Sequence, residues 1–283
     1  MTILDEFRKT DHLIRHRHSP HHAGQPILKV VDLTLRYESN VALQDVNFEV
    51  QAGERLAVVG PNGAGKSTLF KVIAGVLPPT AGQVHIYGQE PGGHICIAYL
   101  TQRSQVDWSF PVTVKDVVLM GRIGQMGLFR QPGARDWEIV RRSLARVNLS
   151  DLADRQISQL SGGQQQRMFI ARALAQQAEL ILMDEPFSGL DLTSQEDILQ
   201  ILNQLHASGV TVLVAMHDLQ LASEQFDRIL LLNHRLIALG APGDVLTAEN
   251  LAAAYGGHLR LMTTEGGVLA LEDTCCDEGE AYP

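Results

Sequence analysis

The chain has 283 residues, enough to bury a sizeable core as one large domain or two lobes. Its 45% hydrophobic and 19% charged residues are ordinary for a globular protein, and a formal charge of -9 excludes an overall basic field for nucleic acid. An anionic ligand must therefore be held by a local site.

No apolar run approaches the roughly 20 residues that a bilayer span needs, and the polar N-terminus does not read as a secretory signal. Three cysteines, Cys96, Cys275 and Cys276, make a poor disulfide framework and fit a reducing cytosol. In chain order, residues 1–26 read as a flexible tail holding His12, His16, His18, His21 and His22. His12 and His16 have the spacing of one helical face, so a metal reading competes there with a plain polar tail. Strands are expected at 27–37, 46–50 and 55–60. A helix at 66–74 follows, closed by Gly75 and Pro78-Pro79. Residues 83–87 and 95–100 read as further strands, and 113–120 and 136–147 as helices.

Ser161 is placed to cap a helix running to 175. Beyond it the order is strand 179–183, helix 193–206, strand 210–215, helix 219–225 and strand 229–232. That alternation predicts a parallel sheet with crossover helices. The block from about 103 to 160 lacks a strong strand and reads as a helical insert. Residues 261–283 read as an acidic C-terminal tail, where Cys275-Cys276 with Asp273, Asp277 and Glu278 suggest a soft-metal site less well than a frayed terminus.

Three motifs carry the chemistry. The run Gly60-Pro61-Asn62-Gly63-Ala64-Gly65-Lys66-Ser67-Thr68 follows a strand and opens a helix, the setting of a phosphate loop. Its N–H groups and helix N-terminus suit phosphate oxygens. Lys66 offers a charge to the β- and γ-phosphates, and Ser67 a hydroxyl to Mg²⁺. The apolar run 180–183 delivers Asp184 to the ligand-binding end of a sheet, where it suits Mg²⁺. Glu185, fixed by Pro186, is placed to take a proton from an attacking water. Third, Leu160-Ser161-Gly162-Gly163-Gln164-Gln165-Gln166-Arg167 opens a helix with a second set of phosphate donors.

With these motifs in this order, residues 27–257 resemble the ATP-binding subunit of an ABC transporter. The resemblance implies an α/β fold: a P-loop NTPase (ABC ATPase) core with a parallel sheet, an antiparallel β subdomain and a helical subdomain, over residues 27–260. It implies ATP and Mg²⁺ as ligands. It makes Tyr37 the aromatic that stacks on adenine, Gln102 the sensor of Mg²⁺ and attacking water, and His217 a γ-phosphate contact. Leu160–Gln164 becomes the signature motif, acting on ATP held by a second copy, and Ser188-Gly189-Leu190-Asp191 the loop between the two sites. Glu185, His217, Gln102 and Lys66 are thus the expected catalytic set.

The family's transport partners are integral membrane permease subunits and an external solute-binding protein, with this subunit on the cytoplasmic face of the inner membrane. The helical insert, with Trp108, Phe110, Met120, Arg122 and residues 126–129, is the expected docking surface. Asp107-Trp108-Ser109-Phe110-Pro111, Gly121-Arg122 and Asn250-Leu251 through Tyr255-Gly256-Gly257 are similar to the manganese/zinc/iron branch of bacterial importers. A siderophore or haem importer is the alternative. Non-transport ABC ATPases acting on DNA or ribosomes are disfavoured by a single cassette, the absence of sustained heptads and the acidic charge. A pure binding module is disfavoured by Glu185 and His217.

Overall fold

The computed structural model describes residues 25–38, 40–91, 96–101, 106–126 and 130–256, with the backbone of 259–263 and 269–273. Gln102, the histidine-rich segment 1–24, residues 127–129, Gly257 and Cys275-Cys276 lie outside the described residues.

Two strands open the fold, β1 (Leu28–Tyr37) and β2 (Asn40–Val50), paired antiparallel. The second begins earlier than alternation predicts, because Asp45 adopts a positive φ of 50° and breaks the period. Leu43 and Val46, three apart, are therefore both buried. Asp32, with φ 47°, does the same between Val30 and Leu33. The Asp32 N–H donates to Asn47 Oδ1 at 2.8 Å. β4 (Ala81–Ile86) pairs with the other edge of β1, completing a three-stranded antiparallel sheet.

The second sheet runs β5-β6-β7-β3-β8-β9. Its parallel members are β5 (Ile97–Leu100), β6 (Leu180–Asp184), β7 (Thr211–Met216), β3 (Arg55–Val59) and β8 (Arg228–Asn233). β9 (Arg235–Gly240) returns antiparallel along β8. The continuous apolar runs of β6, β7 and β8 follow from burial on both faces. Leu56 and Val58 face a core shared with the antiparallel sheet and α1 (Lys66–Ile73), whereas Ala57 and Val59 face the other helices.

That helical side begins with α2 (Val114–Met120), α3 (Ile123–Met126) and α4 (Ala134–Arg146). α2 and α4 pack on α5 (Gly162–Gln176), so the helical insert is seated on the helix that follows it. Next come α6 (Leu192–Ala207) and α7 (Leu219–Gln225). Past β9, two short helices escaped the strand–helix alternation: α8 (Pro242–Val245) and α9 (Ala248–Tyr255). Asn233 Nδ2 donates to the Ala254 carbonyl at 2.8 Å, tying α9 to β8.

The stretch from 261, expected as a tail, instead contains backbone pairing of β10 (Leu259–Thr263) with β11 (Leu269–Asp273). Leucines at alternate positions on both sides of Gly266-Gly267 are the sequence pattern of such a pair.

Gly121-Arg122 is a packing device rather than a docking face. A Cβ at Gly121 would lie 2.3 Å from the Arg172 carbonyl, so only glycine lets α2 sit this close to α5. Arg122 is 5% exposed. Its Nη1 donates to the Ala175 carbonyl at 2.9 Å and to Gln177 Oε1 at 3.1 Å, and its Nε reaches Asp136 at 3.3 Å. A cation at the carboxyl end of α5 also complements the helix dipole. Trp108 packs edge-on against Phe169, with centroids 5.7 Å apart. Phe110, Met120 and Ile123 remain exposed.

Candidate active site

Parallel pairing brings the motifs to one edge. Val59 is in register with Met216, and Asp184 with Ala215, so β3, β6 and β7 end within a residue of one another. The phosphate loop, both acids and His217 thus emerge at the same carboxyl edge of the sheet.

The loop Gly60–Thr68 is hemmed in on two sides. A Cβ at Gly60 would lie 2.0 Å from the Leu232 carbonyl of β8, and one at Gly65 2.6 Å from the Ala42 carbonyl of β2. Buried Ala64 donates its N–H to Pro61, and its carbonyl accepts from the His234 N–H at 2.9 Å. Asn62 and Gly63 are exposed, while Ser67 and Thr68 are half-buried at the start of α1. Lys66 is 6% exposed, and its Nζ donates to the carbonyls of Gly60 at 2.6 Å and Pro61 at 3.0 Å. Burial lowers the Lys66 pKa, opposed by the charges of Glu185 and Asp184. The ammonium is therefore held by its own loop and lies within the field of both acids.

Asp184 is 4% exposed. Its Oδ2 accepts from the Tyr99 hydroxyl at 3.3 Å, and its buried Oδ1 has no hydrogen-bond partner among the described residues. Such an oxygen is costly unless a ligand satisfies it. Glu185 turns the chain sharply, with φ 49°, and its N–H donates to the Ala215 carbonyl at 2.9 Å. A positive φ in a non-glycine residue stores backbone strain. Glu185 and His217 line one cleft of about 230 Å³ with Ser188, Gly189, Gln195 and Asp218.

Ser161–Gln164 does not line that cleft. Ser161 caps α5 reciprocally: its Oγ accepts from Gln164 N, and its own N–H donates to Gln164 Oε1 at 3.0 Å. The serine is exposed and its hydroxyl proton is not used by the cap. Buried Gly163 seats this turn against α6, where a Cβ would lie 2.4 Å from Ser194 Oγ. Asp191 caps α6 by accepting from Ser194 N at 2.8 Å, which joins the 188–191 loop to the signature turn. Tyr37, at the end of β1, is 46% exposed.

A phosphate loop, paired acids and a separate capped Ser-Gly-Gly turn on one α/β frame match the ABC transporter family model over residues 43–188. The chain belongs to the ABC transporter family. This ABC ATPase is 47% identical to the manganese transport system ATP-binding protein MntB of Bacillus subtilis, covering 82% of this chain and 93% of that one. It is 48% identical to the zinc transport system ATP-binding protein TroB of Treponema pallidum, covering 82% and 88%. Among solved structures, an inward-facing ABC transporter assigned to the metal-chelate type matches with TM-score 0.73 and 32% identity, over 87% of this chain and 96% of that one. A dimeric ATP-binding cassette in a post-hydrolysis state, bound to ADP and Pi, matches with TM-score 0.66 and 28% identity, over 76% and 98%.

The structure therefore gathers Lys66, Asp184, Glu185 and His217 at one edge and leaves the Ser161 turn outside the cleft that Glu185 and His217 line. Tyr99 was missed by sequence reasoning. Its signal was a lone phenol in an apolar strand, and its partner became visible only once Tyr99 and Leu182 were in register.

Proposed function

We propose that this ABC ATPase powers import of a divalent metal ion, manganese, zinc or iron, through separate permease subunits. The observation that carries the reading is the likeness to named manganese and zinc transport ATPases over 82% of the chain. The metal-chelate neighbour, at 32% identity, gives weaker support to a siderophore or haem cargo. Among the described residues no helix is long and apolar enough to cross a membrane, which fits a subunit that docks on others. Exposed Phe110, Met120 and Ile123 suit such docking on the cytoplasmic face. An external solute-binding protein completes the proposed importer.

In this reading ATP stacks on Tyr37 and lays its phosphates along Gly60–Thr68. Lys66 releases the Gly60 and Pro61 carbonyls and turns to the β- and γ-oxygens. The unsatisfied oxygen of Asp184, with the Ser67 hydroxyl, forms a hard-oxygen donor set that fits Mg²⁺. Mg²⁺ bound there would neutralise charge on the β- and γ-phosphates. Gln102 is proposed as a further oxygen donor and water sensor. Glu185 accepts a proton from the water that attacks the γ-phosphorus, and His217 steadies that phosphate.

The far side of the γ-phosphate takes its donors from outside this cleft. The hydroxyl proton of Ser161, which the cap leaves unused, and the N–H groups of Gly162 and Gly163 supply them from a second copy. The dimeric neighbour supports that arrangement. ATP then favours a closed dimer, and its hydrolysis removes the shared contacts, a ligand-driven two-state switch.

Uptake of Mn²⁺, Zn²⁺ and Fe by cells carrying wild type or Lys66→Ala tests the cargo. The variant is expected to lose uptake of at least one of these ions. Uptake of all three at the wild-type rate overturns the assignment.

A further inference from the structure

Asp184 has two oxygens with different fates. Oδ2 accepts from Tyr99, and Oδ1 is buried without a hydrogen-bond partner among the described residues. Rotation about the terminal torsion of an aspartate is soft and roughly two-fold, so a carboxylate held by nothing samples both orientations. A hydroxyl fixed on a neighbouring strand removes that freedom.

Tyr99 is well built for this. β5 and β6 pair in parallel with Tyr99 opposite Leu182, and Asp184 lies two residues further along the same face. The phenol is half-buried, and its ring packs with the core between the sheet and α1. Gln176 Nε2 donates to the Ile97 carbonyl at 2.6 Å and ties β5 to α5.

We infer that Tyr99 is a positioning residue for the nucleotide's metal ion: it holds Oδ2 of Asp184 so that Oδ1 is left for the cation. The inference rests on the reading of Asp184 as a Mg²⁺ ligand. Its function is to orient a ligand through a hydrogen bond to that ligand's other atom, without touching nucleotide. The 3.3 Å separation is long for a hydroxyl–carboxylate bond and has room to shorten.

The test is binding of a non-hydrolysable ATP analogue, AMP-PNP, to wild type, Tyr99→Phe and Asp184→Asn, in EDTA and across a Mg²⁺ titration. Phenylalanine keeps the ring and removes only the hydroxyl. Tyr99→Phe is expected to bind AMP-PNP in EDTA as wild type does, while its half-saturating Mg²⁺ rises about 10-fold. Asp184→Asn is expected to raise it further. If Tyr99→Phe leaves the Mg²⁺ dependence unchanged while Asp184→Asn shifts it, the positioning role is overturned and the metal reading stands. An equal loss of AMP-PNP affinity with and without Mg²⁺ also overturns it, since that marks a general structural defect. An unshifted Asp184→Asn overturns the metal reading beneath it.

Discussion

Lys66 and Gly60 show how the phosphate loop works one residue at a time. The Lys66 ammonium bonds two carbonyls of its own loop, so in the proposed reading nucleotide binding is an exchange of partners rather than the capture of a free charge. Gly60 is constrained by space: a methyl there would overlap the Leu232 carbonyl, 2.0 Å away, and backbone cannot step aside as a side chain would. Gly60→Ala is expected to cost about 2 kcal/mol or more and to abolish nucleotide binding, measured by thermal melting and fluorescent-ATP titration. Wild-type values in both would refute this account of the loop. The glycine spacing was readable from sequence, because a phosphate loop between strand and helix is a local pattern. The cause of the Gly60 requirement was not, since Leu232 is far along the chain and meets it only through β3–β8 pairing.

Among the elements, α5 is the hinge of the design. Its first turn carries the signature serine, and its last turn is held by Arg122. The strand–helix order from 161 to 232 was legible because buried parallel strands are continuous apolar runs. The start of β2 was hidden by the irregularity at Asp45, and β9, α8 and α9 fall outside that repeating order. Gly121-Arg122 was read as part of a docking face because sequence cannot tell a buried arginine from an exposed one.

The Arg122–Asp136 pair also makes a stability prediction. Burial pushes the Asp136 pKa up, but the Gly133 N–H and the Arg122 guanidinium outweigh it and hold the carboxyl below its ordinary value. A depressed carboxylate contributes stability in full above its unfolded pKa, about 3.9, and loses it as pH falls through the lower folded value. Wild type is therefore expected to lose stability in that acid window more steeply than Asp136→Asn. At neutral pH, Arg122→Ala is expected to cost roughly 3 kcal/mol, since it strands a mostly buried carboxylate and the end of α5. Denaturant melts across pH check both, and identical acid slopes would refute the role of the pair.

For the whole molecule, the decisive feature is a site whose parts are divided. Lys66, Asp184, Glu185 and His217 meet at one sheet edge, and the Ser161 turn does not line the cleft that Glu185 and His217 share. The motifs, their order and the expectation that the signature turn serves a second copy were legible in the sequence; which residues share the cleft of Glu185 and His217 was not, because spacing along a chain does not give distance. The account therefore centres on a second copy completing each site. The direct measurement is the mass of Glu185→Gln in solution, by size-exclusion chromatography with light scattering, with and without ATP and Mg²⁺. Removing the proposed proton acceptor is expected to block turnover and preserve binding, so the account predicts a monomer without nucleotide and a stable dimer with it. A Glu185→Gln protein that binds ATP and stays monomeric at saturating nucleotide would contradict it.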